Sequence, residues 1–333
     1  KLIVEAGALK ALHNSEARFP PPKCHPGTRE SILNHLFDWI RANDVENTLY
    51  SPIQWLYGPA GVGKSAIAQT LCERFDKEHL IGSFFFSRTS QARNNPRFLF
   101  LTIGYCLAIF SNDRDLWTAI DEAVSKNPTI LHASIDVQFR ELVVGPLRSL
   151  PLCKWWPLPK IVIIDGLDEC IDRNSQKLVL ETIHNGLVGP VTEGLAYRIP
   201  LRFLISSRPE HVIRLVFSQP QFYELLDRTV LSDSFETSKD IAVYLRDNFL
   251  EIARYHSIEM PWPSHGIIQE LVQRASGQFI YASTIIKYIG DVGDYPPTRL
   301  DIVLKTPLSD GEAFADLDIL YQQILASNPH RKQ

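Results

Sequence analysis

Gly58-Pro59-Ala60-Gly61-Val62-Gly63-Lys64-Ser65 has the G-x-x-x-x-G-K-S spacing of a phosphate-binding loop. The outer glycines let the backbone wind tightly, so that successive N–H groups point inward at phosphates. In such a loop Lys64 supplies a point charge for the β- and γ-phosphates, and the Ser65 hydroxyl coordinates Mg²⁺. The context agrees. Ile53 to Tyr57 is a short apolar run suited to a strand, and Ser65 to Phe75 reads as an amphipathic helix. The helix N-terminus, with Ala66 in its first turn, adds to the anion site.

In Lys160-Ile161-Val162-Ile163-Ile164-Asp165, every position from Ile161 to Ile164 is apolar before the closing carboxylate. Such a run is buried on both faces, as in a parallel sheet, which sets Asp165 at the carboxyl end of a central strand, where α/β sheets bind ligands. A magnesium ion held by Ser65 and phosphate oxygens needs one such carboxylate. Gly166-Leu167-Asp168-Glu169 follows with two more acids. Glu169 is the first candidate to orient or deprotonate an attacking water, with Asp168 next; the plainer alternative is that both cap the following helix. A third strand, Leu201 to Ser206, runs into Ser207-Arg208-Pro209-Glu210. Arg208 at its tip is placed to touch a γ-phosphate and stabilise charge during transfer, or to be a surface cation.

Together, Gly58 to Ser65, the D-G-L-D-E ending at Asp165 to Glu169, and Ile205 to Glu210 resemble a NACHT domain, a branch of the signal-transduction NTPases, in the form found in fungal NLR-like receptors. The D-x-x-D-E ending separates it from the plant-type NB-ARC domain, whose strand ends in two adjacent acids. Pro22 to Glu30 resembles the segment ahead of the fungal phosphate loop, which implies that Thr28 and Arg29 lie near the base. Leu271 to Ala282 resembles a helix of the small helical domain that closes over adenine. Gly277-Gln278-Phe279 stands where many relatives read G-L-P, leaving Phe279 either to stack on the base or to join the core. No winged-helix histidine can be assigned. The resemblance implies an α/β P-loop NTPase sheet of order 5-1-4-3-2 flanked by helices, then a small all-helical domain, with ATP or ADP and Mg²⁺ as cofactors.

The chain has 333 residues, 45% of them hydrophobic and 22% charged, with net charge −4. That suffices for two packed units and lacks the basic field of a nucleic-acid binder. Arg88, Arg93 and Arg97, interleaved with polar residues, read as ordinary surface. Five scattered cysteines without a C-x-x-C pair argue for reduced thiols, hence a cytoplasmic setting, and against zinc or a disulfide framework. Leu99 to Phe110 is too short to span a membrane and reads as a buried helix. His25, His211 and His256 are taken as structural. A start at Lys1, with Met260 the sole methionine, leads us to expect a piece of a longer protein or a processed one, with a frayed tail after Asn328-Pro329.

The expected organisation is a helical connector and Pro-rich linker over 1–30, the NTPase domain over 31–235 and a helical domain over 236–333. Residues 1–18 are read as an amphipathic helix, 31–41 as a helix, and strands fall at 53–57, 80–86, 160–165, 201–206 and 229–231. Several helices must fill the interval between the second and third strands. Thr237-Ser238-Lys239-Asp240 reads as a capping-box start.

The leading functional expectation is an ATP/ADP-binding switch with slow ATPase activity that changes conformation and oligomerises with itself on nucleotide exchange, joined to effector and sensor domains not identified by sequence. Two alternatives stand beside it: a nucleotide-binding scaffold without turnover, and a metabolic P-loop phosphotransferase or ATPase, for which no second-substrate constellation is visible.

Overall fold

The structure, a computed structural model, describes residues 3, 5, 7–42, 51–75, 79–188, 198–232, 235–291, 293–305 and 315–326. Leu2 of the expected first helix and the tail from Asn328 lie outside the described residues. Five strands form one parallel sheet: β1 Ile53–Tyr57, β2 Leu80–Phe85, β3 Ile161–Asp165, β4 Arg202–Ser207 and β5 Leu226–Val230. Their order is β2-β3-β4-β1-β5, which is 5-1-4-3-2 when read from β5. β2, β3 and β4 are buried at every position. That follows from their mainly apolar runs, because a parallel strand covered on both faces has no solvent side; the polar Ser83, Arg202 and Ser206 within them are buried and hydrogen-bonded.

β5 begins three residues earlier than the apolar pattern suggests. It is an edge strand, half exposed, and Asp227 and Arg228 sit in it without cost to the core.

The chain divides into two compact units: residues 1–23, 31–58 and 64–230 in the first, and 24–30, 59–63 and 231–333 in the second. In the first unit the interval between β2 and β3 holds the helices Leu99–Phe110 and Arg114–Lys126 and the shorter Ile135–Phe139 and Gly145–Ser149. Leu99, Phe100, Leu101, Ile103, Cys106 and Leu107 are fully buried, each Leu, Ile or Phe side chain contributing about 1.5–3 kcal/mol. This helix lies close on β2 because Gly82 has no side chain; a Cβ there would be 2.8 Å from that of Cys106.

Within 7–18 the expected single helix is replaced by two 3₁₀ turns, Leu9–Ala11 and Glu16–Arg18. The backbone bonds go elsewhere: Ala8 N–H donates to Thr102 Oγ1 at 3.1 Å and His13 N–H to Ser83 Oγ at 2.9 Å.

The second unit is helical from Phe235: Phe235–Tyr255, His265–Ala275, Phe279–Ile289, Pro296–Lys305 and Ala315–Ala326. Its core joins Ile241, Leu245, Phe249, Leu271, Ile285 and Leu320. The capping box at Thr237 does not form. The helix already starts two residues earlier, Thr237 Oγ1 donates to Ser232 O at 3.1 Å, and Asp240 accepts the Arg29 N–H at 3.0 Å instead of a helix amide.

Candidate functional site

Because all five strands are parallel, β1, β3 and β4 end at one edge of the sheet, and each delivers a polar group there. After β1, the helix Lys64–Phe75 begins at the last two residues of the phosphate loop. Lys64 Nζ donates to the Gly58 carbonyl at 2.8 Å, closing the loop on itself. Burial lowers the Lys64 pKa, while Asp168 and then Asp165 act to raise it.

At the end of β3, Asp165 is buried and receives hydrogen bonds from the hydroxyls of Ser206 and Ser65. Burial pushes its pKa up, and those two bonds and the Arg18 charge oppose that. Ser206 also accepts the Gly166 N–H at 3.3 Å. Gly166 takes the left-handed conformation, φ 71°, which a residue with a side chain adopts at a cost, and so turns the chain from β3 into Leu167–Glu169.

Asp168 is 3% exposed and is no solvated helix cap. The cap of the next helix is Asp172, which accepts the Ser175 N–H at 2.8 Å. Asp168 instead accepts the Arg208 N–H at 2.9 Å through Oδ1, and its Oδ2 lies 3.2 Å from Arg208 Nε. Glu169 is half-buried, and its Oε2 accepts the Arg88 N–H at 3.0 Å. Arg88 also donates from its guanidinium to the Asp168 carbonyl at 3.1 Å. Arg88 is exposed, as expected of a surface residue, but it also binds the acidic turn, which the sequence alone does not foresee. It lies in a loop whose polar composition gave no signal, and only β2's place beside β3 brings it to the acidic turn.

The middle of the phosphate loop, Pro59–Gly63, belongs to the second unit, with Thr28 and Arg29. Gly61 and Gly63 have φ of 76° and 98°. Pro59 is exposed and Ala60 half-buried. Arg29 is buried and donates to the Val62 carbonyl and the Thr237 hydroxyl, both at 2.8 Å. Its guanidinium carbon lies 4.9 Å from the centre of the Phe279 ring. Ile280 N–H donates to Gly61 O at 3.1 Å. Thr28 is buried and donates to the His25 carbonyl at 2.7 Å. Ala66, in the first unit, accepts from the Thr70 hydroxyl through its carbonyl at 2.8 Å.

The first unit thus brings Lys64, Ser65, Asp165, Asp168 and Arg208 to one sheet edge, and the second ties Arg29 to the loop at Val62. The Ser65 hydroxyl and Asp165 carboxylate are hard oxygen donors in direct contact and fit a magnesium ion. Among the described residues no group of three or more His, Cys, Asp or Glu could hold a metal, so such an ion would complete its shell from phosphate and water.

Residues 27–208, more than half of the chain, match the family described as nephrocystin 3, N-terminal, and the chain belongs to that family. The match takes in the whole phosphate loop and the acidic turn, and its last residue is Arg208. No curated protein matches the chain. Among the described residues no helix is long and apolar enough to cross a membrane.

Proposed function

We propose that this chain is the ATP/ADP-binding core of a signalling switch, a NACHT-type P-loop NTPase with slow hydrolysis. The observation that carries this reading is the pairing of two motif residues with two others at one sheet edge: Ser65 on Asp165, and Asp168 on Arg208. The inward N–H groups of Gly58–Ser65 cradle the phosphates, and Lys64 exchanges the Gly58 carbonyl for phosphate oxygen. Ser65 and Asp165 hold Mg²⁺, which when bound offsets charge on the phosphate oxygens and orients them. Glu169 orients the attacking water, and Thr28 and Arg29 line the base side.

Only contacts that differ between ATP and ADP can drive a switch. The Arg208 guanidinium is half-exposed and paired with one acid, so a γ-phosphate competes with Asp168 for it. Exchange of nucleotide would then alter the acidic turn and, through it, the state in which the chain meets effector and sensor domains or further copies of itself. The five free thiols suit a cytoplasmic setting.

A second reading, a nucleotide-binding scaffold without turnover, is favoured by the Arg88 amide already occupying Glu169. Single-turnover hydrolysis separates the two. The switch reading expects slow turnover in the parent chain and a loss of about 10²-fold or more in Glu169→Gln, with ATP still bound. Equal rates in both would favour the scaffold.

A further inference from the structure

The strap ahead of the family-matched region is built into the sheet unit. Ala11 is fully buried, and His13 bonds through both its backbone N–H and its ring Nδ1 to the Ser83 hydroxyl of β2. The strap then makes the 3₁₀ turn Glu16–Arg18, with Ser15 Oγ accepting the Ala17 N–H at 3.3 Å. That turn directs Arg18 inward.

The Arg18 guanidinium lies face-on over the Phe85 ring, 3.4 Å from its centre. From the same group Nη1 donates to Gln69 Oε1 at 2.6 Å and to the His13 carbonyl at 3.0 Å. Gln69 is 1% exposed, and its amide donates to the same His13 carbonyl at 3.1 Å and to Glu73 at 2.8 Å. Nη1 of Arg18 and both polar atoms of the Gln69 amide are therefore committed. A planar guanidinium can stack on a ring and donate in its plane at once; an ammonium cannot.

What Arg18 touches gives the contact its meaning. Gln69 stands four residues after Ser65, on the same face of the helix Lys64–Phe75. Phe85 is the register partner of Asp165 across β2 and β3. One side chain thus bridges the helix that carries the hydroxyl ligand and the strand beside the carboxylate ligand. We propose that Arg18 is a positioning residue that holds Ser65 and Asp165 at the spacing a divalent ion needs, so that metal-dependent nucleotide binding runs through the strap. Burial lowers the Arg18 pKa, and the Asp165 charge acts against that. This inference rests on the nucleotide-binding reading above.

Groups that orient metal ligands from behind are commonly worth ten- to a hundredfold in metal affinity. The test is binding of fluorescent ADP to the chain while Mg²⁺ is titrated, and again in EDTA, for the parent, Arg18→Met, Arg18→Lys and the strap control Lys23→Met. Lys23 is an exposed residue paired with Glu73 at 2.9 Å. We expect the Mg²⁺ midpoint to rise about tenfold in Arg18→Met, with ADP binding in EDTA and the control unchanged. Arg18→Lys keeps the charge but not the stacked fork and decides by the same readout if the methionine variant does not fold. An unchanged Mg²⁺ midpoint, or an equal loss with and without metal, overturns the inference alone. Failure of the parent chain to bind ADP overturns the functional reading and this inference together.

Discussion

Arg208 and Asp168 are joined twice, by the Arg208 N–H on Oδ1 at 2.9 Å and by Nε beside Oδ2 at 3.2 Å. The tip of β4 is thereby fastened to the acidic turn after β3, and the first of these bonds survives loss of the Arg208 side chain. The guanidinium contact is exposed enough to be worth at most about 1 kcal/mol, roughly a fivefold effect. Asp168→Asn should release the guanidinium and shift the ATP-to-ADP affinity ratio toward ATP by about that factor. Arg208→Ala should shift it the other way. Competition binding measures both, and a shift of both in the same direction would contradict a γ-phosphate sensor.

Gly61 is the least replaceable residue of the phosphate loop. At φ 76°, any side chain costs about 1–2 kcal/mol. An added Cβ would also lie 2.3 Å from Ile280 Cγ2. Gly61→Ala should therefore lower thermal stability, and adding Ile280→Ala should recover the part due to contact while leaving the backbone part. Full recovery in the double variant would show that the backbone conformation carries no cost.

Asp172 caps the helix Arg173–Val188 with two bonds to Ser175, from its backbone N–H and its hydroxyl, both at 2.8 Å. These bonds hold its pKa below the ordinary carboxylate value. A depressed folded pKa means stability that is complete above the unfolded value, near 4, and lost as pH falls through the folded one. Asp172→Ala should cost about 1 kcal/mol at neutral pH, and the gap from the parent should close as denaturation is followed below about pH 4. A gap that persists at pH 2 would place the effect elsewhere.

Burial pushes the Cys106 and Cys170 thiols up to about 12, so neither supplies thiolate at neutral pH. Cys153 is exposed and Cys24 half-buried. A thiol reagent added to the native protein should modify Cys153 first and reach Cys106 and Cys170 only on unfolding, as peptide mapping would show. Early modification of Cys106 would mean that the helix Leu99–Phe110 opens readily.

The parts of this architecture written in local runs of residues were the legible ones. β1, β3 and β4 announce themselves because doubly buried strands are mainly apolar, and the phosphate loop because its chemistry tolerates few alternatives at Gly58, Gly63, Lys64 and Ser65. What depends on residues distant in sequence was not legible. Arg18 lies among charges that suggest a helix face, yet it contacts Gln69 and Phe85. Arg88 looks like loop surface until β2 pairs with β3. Asp240 fits a capping box, but Arg29 claims it. Each depends on a partner far along the chain, to which local periodicity is blind.

The account turns on nucleotide held by the loop that Lys64 closes onto Gly58. The most direct measurement is the nucleotide content of the purified chain, with ADP affinity, beside Lys64→Ala. Co-purified ADP in the parent, with affinity reduced at least about a hundredfold in the variant, is the predicted result, since a charge-assisted contact to phosphate is lost from a desolvated site. A parent chain that neither carries nor binds adenine nucleotide, or a variant that binds it equally well, would contradict it.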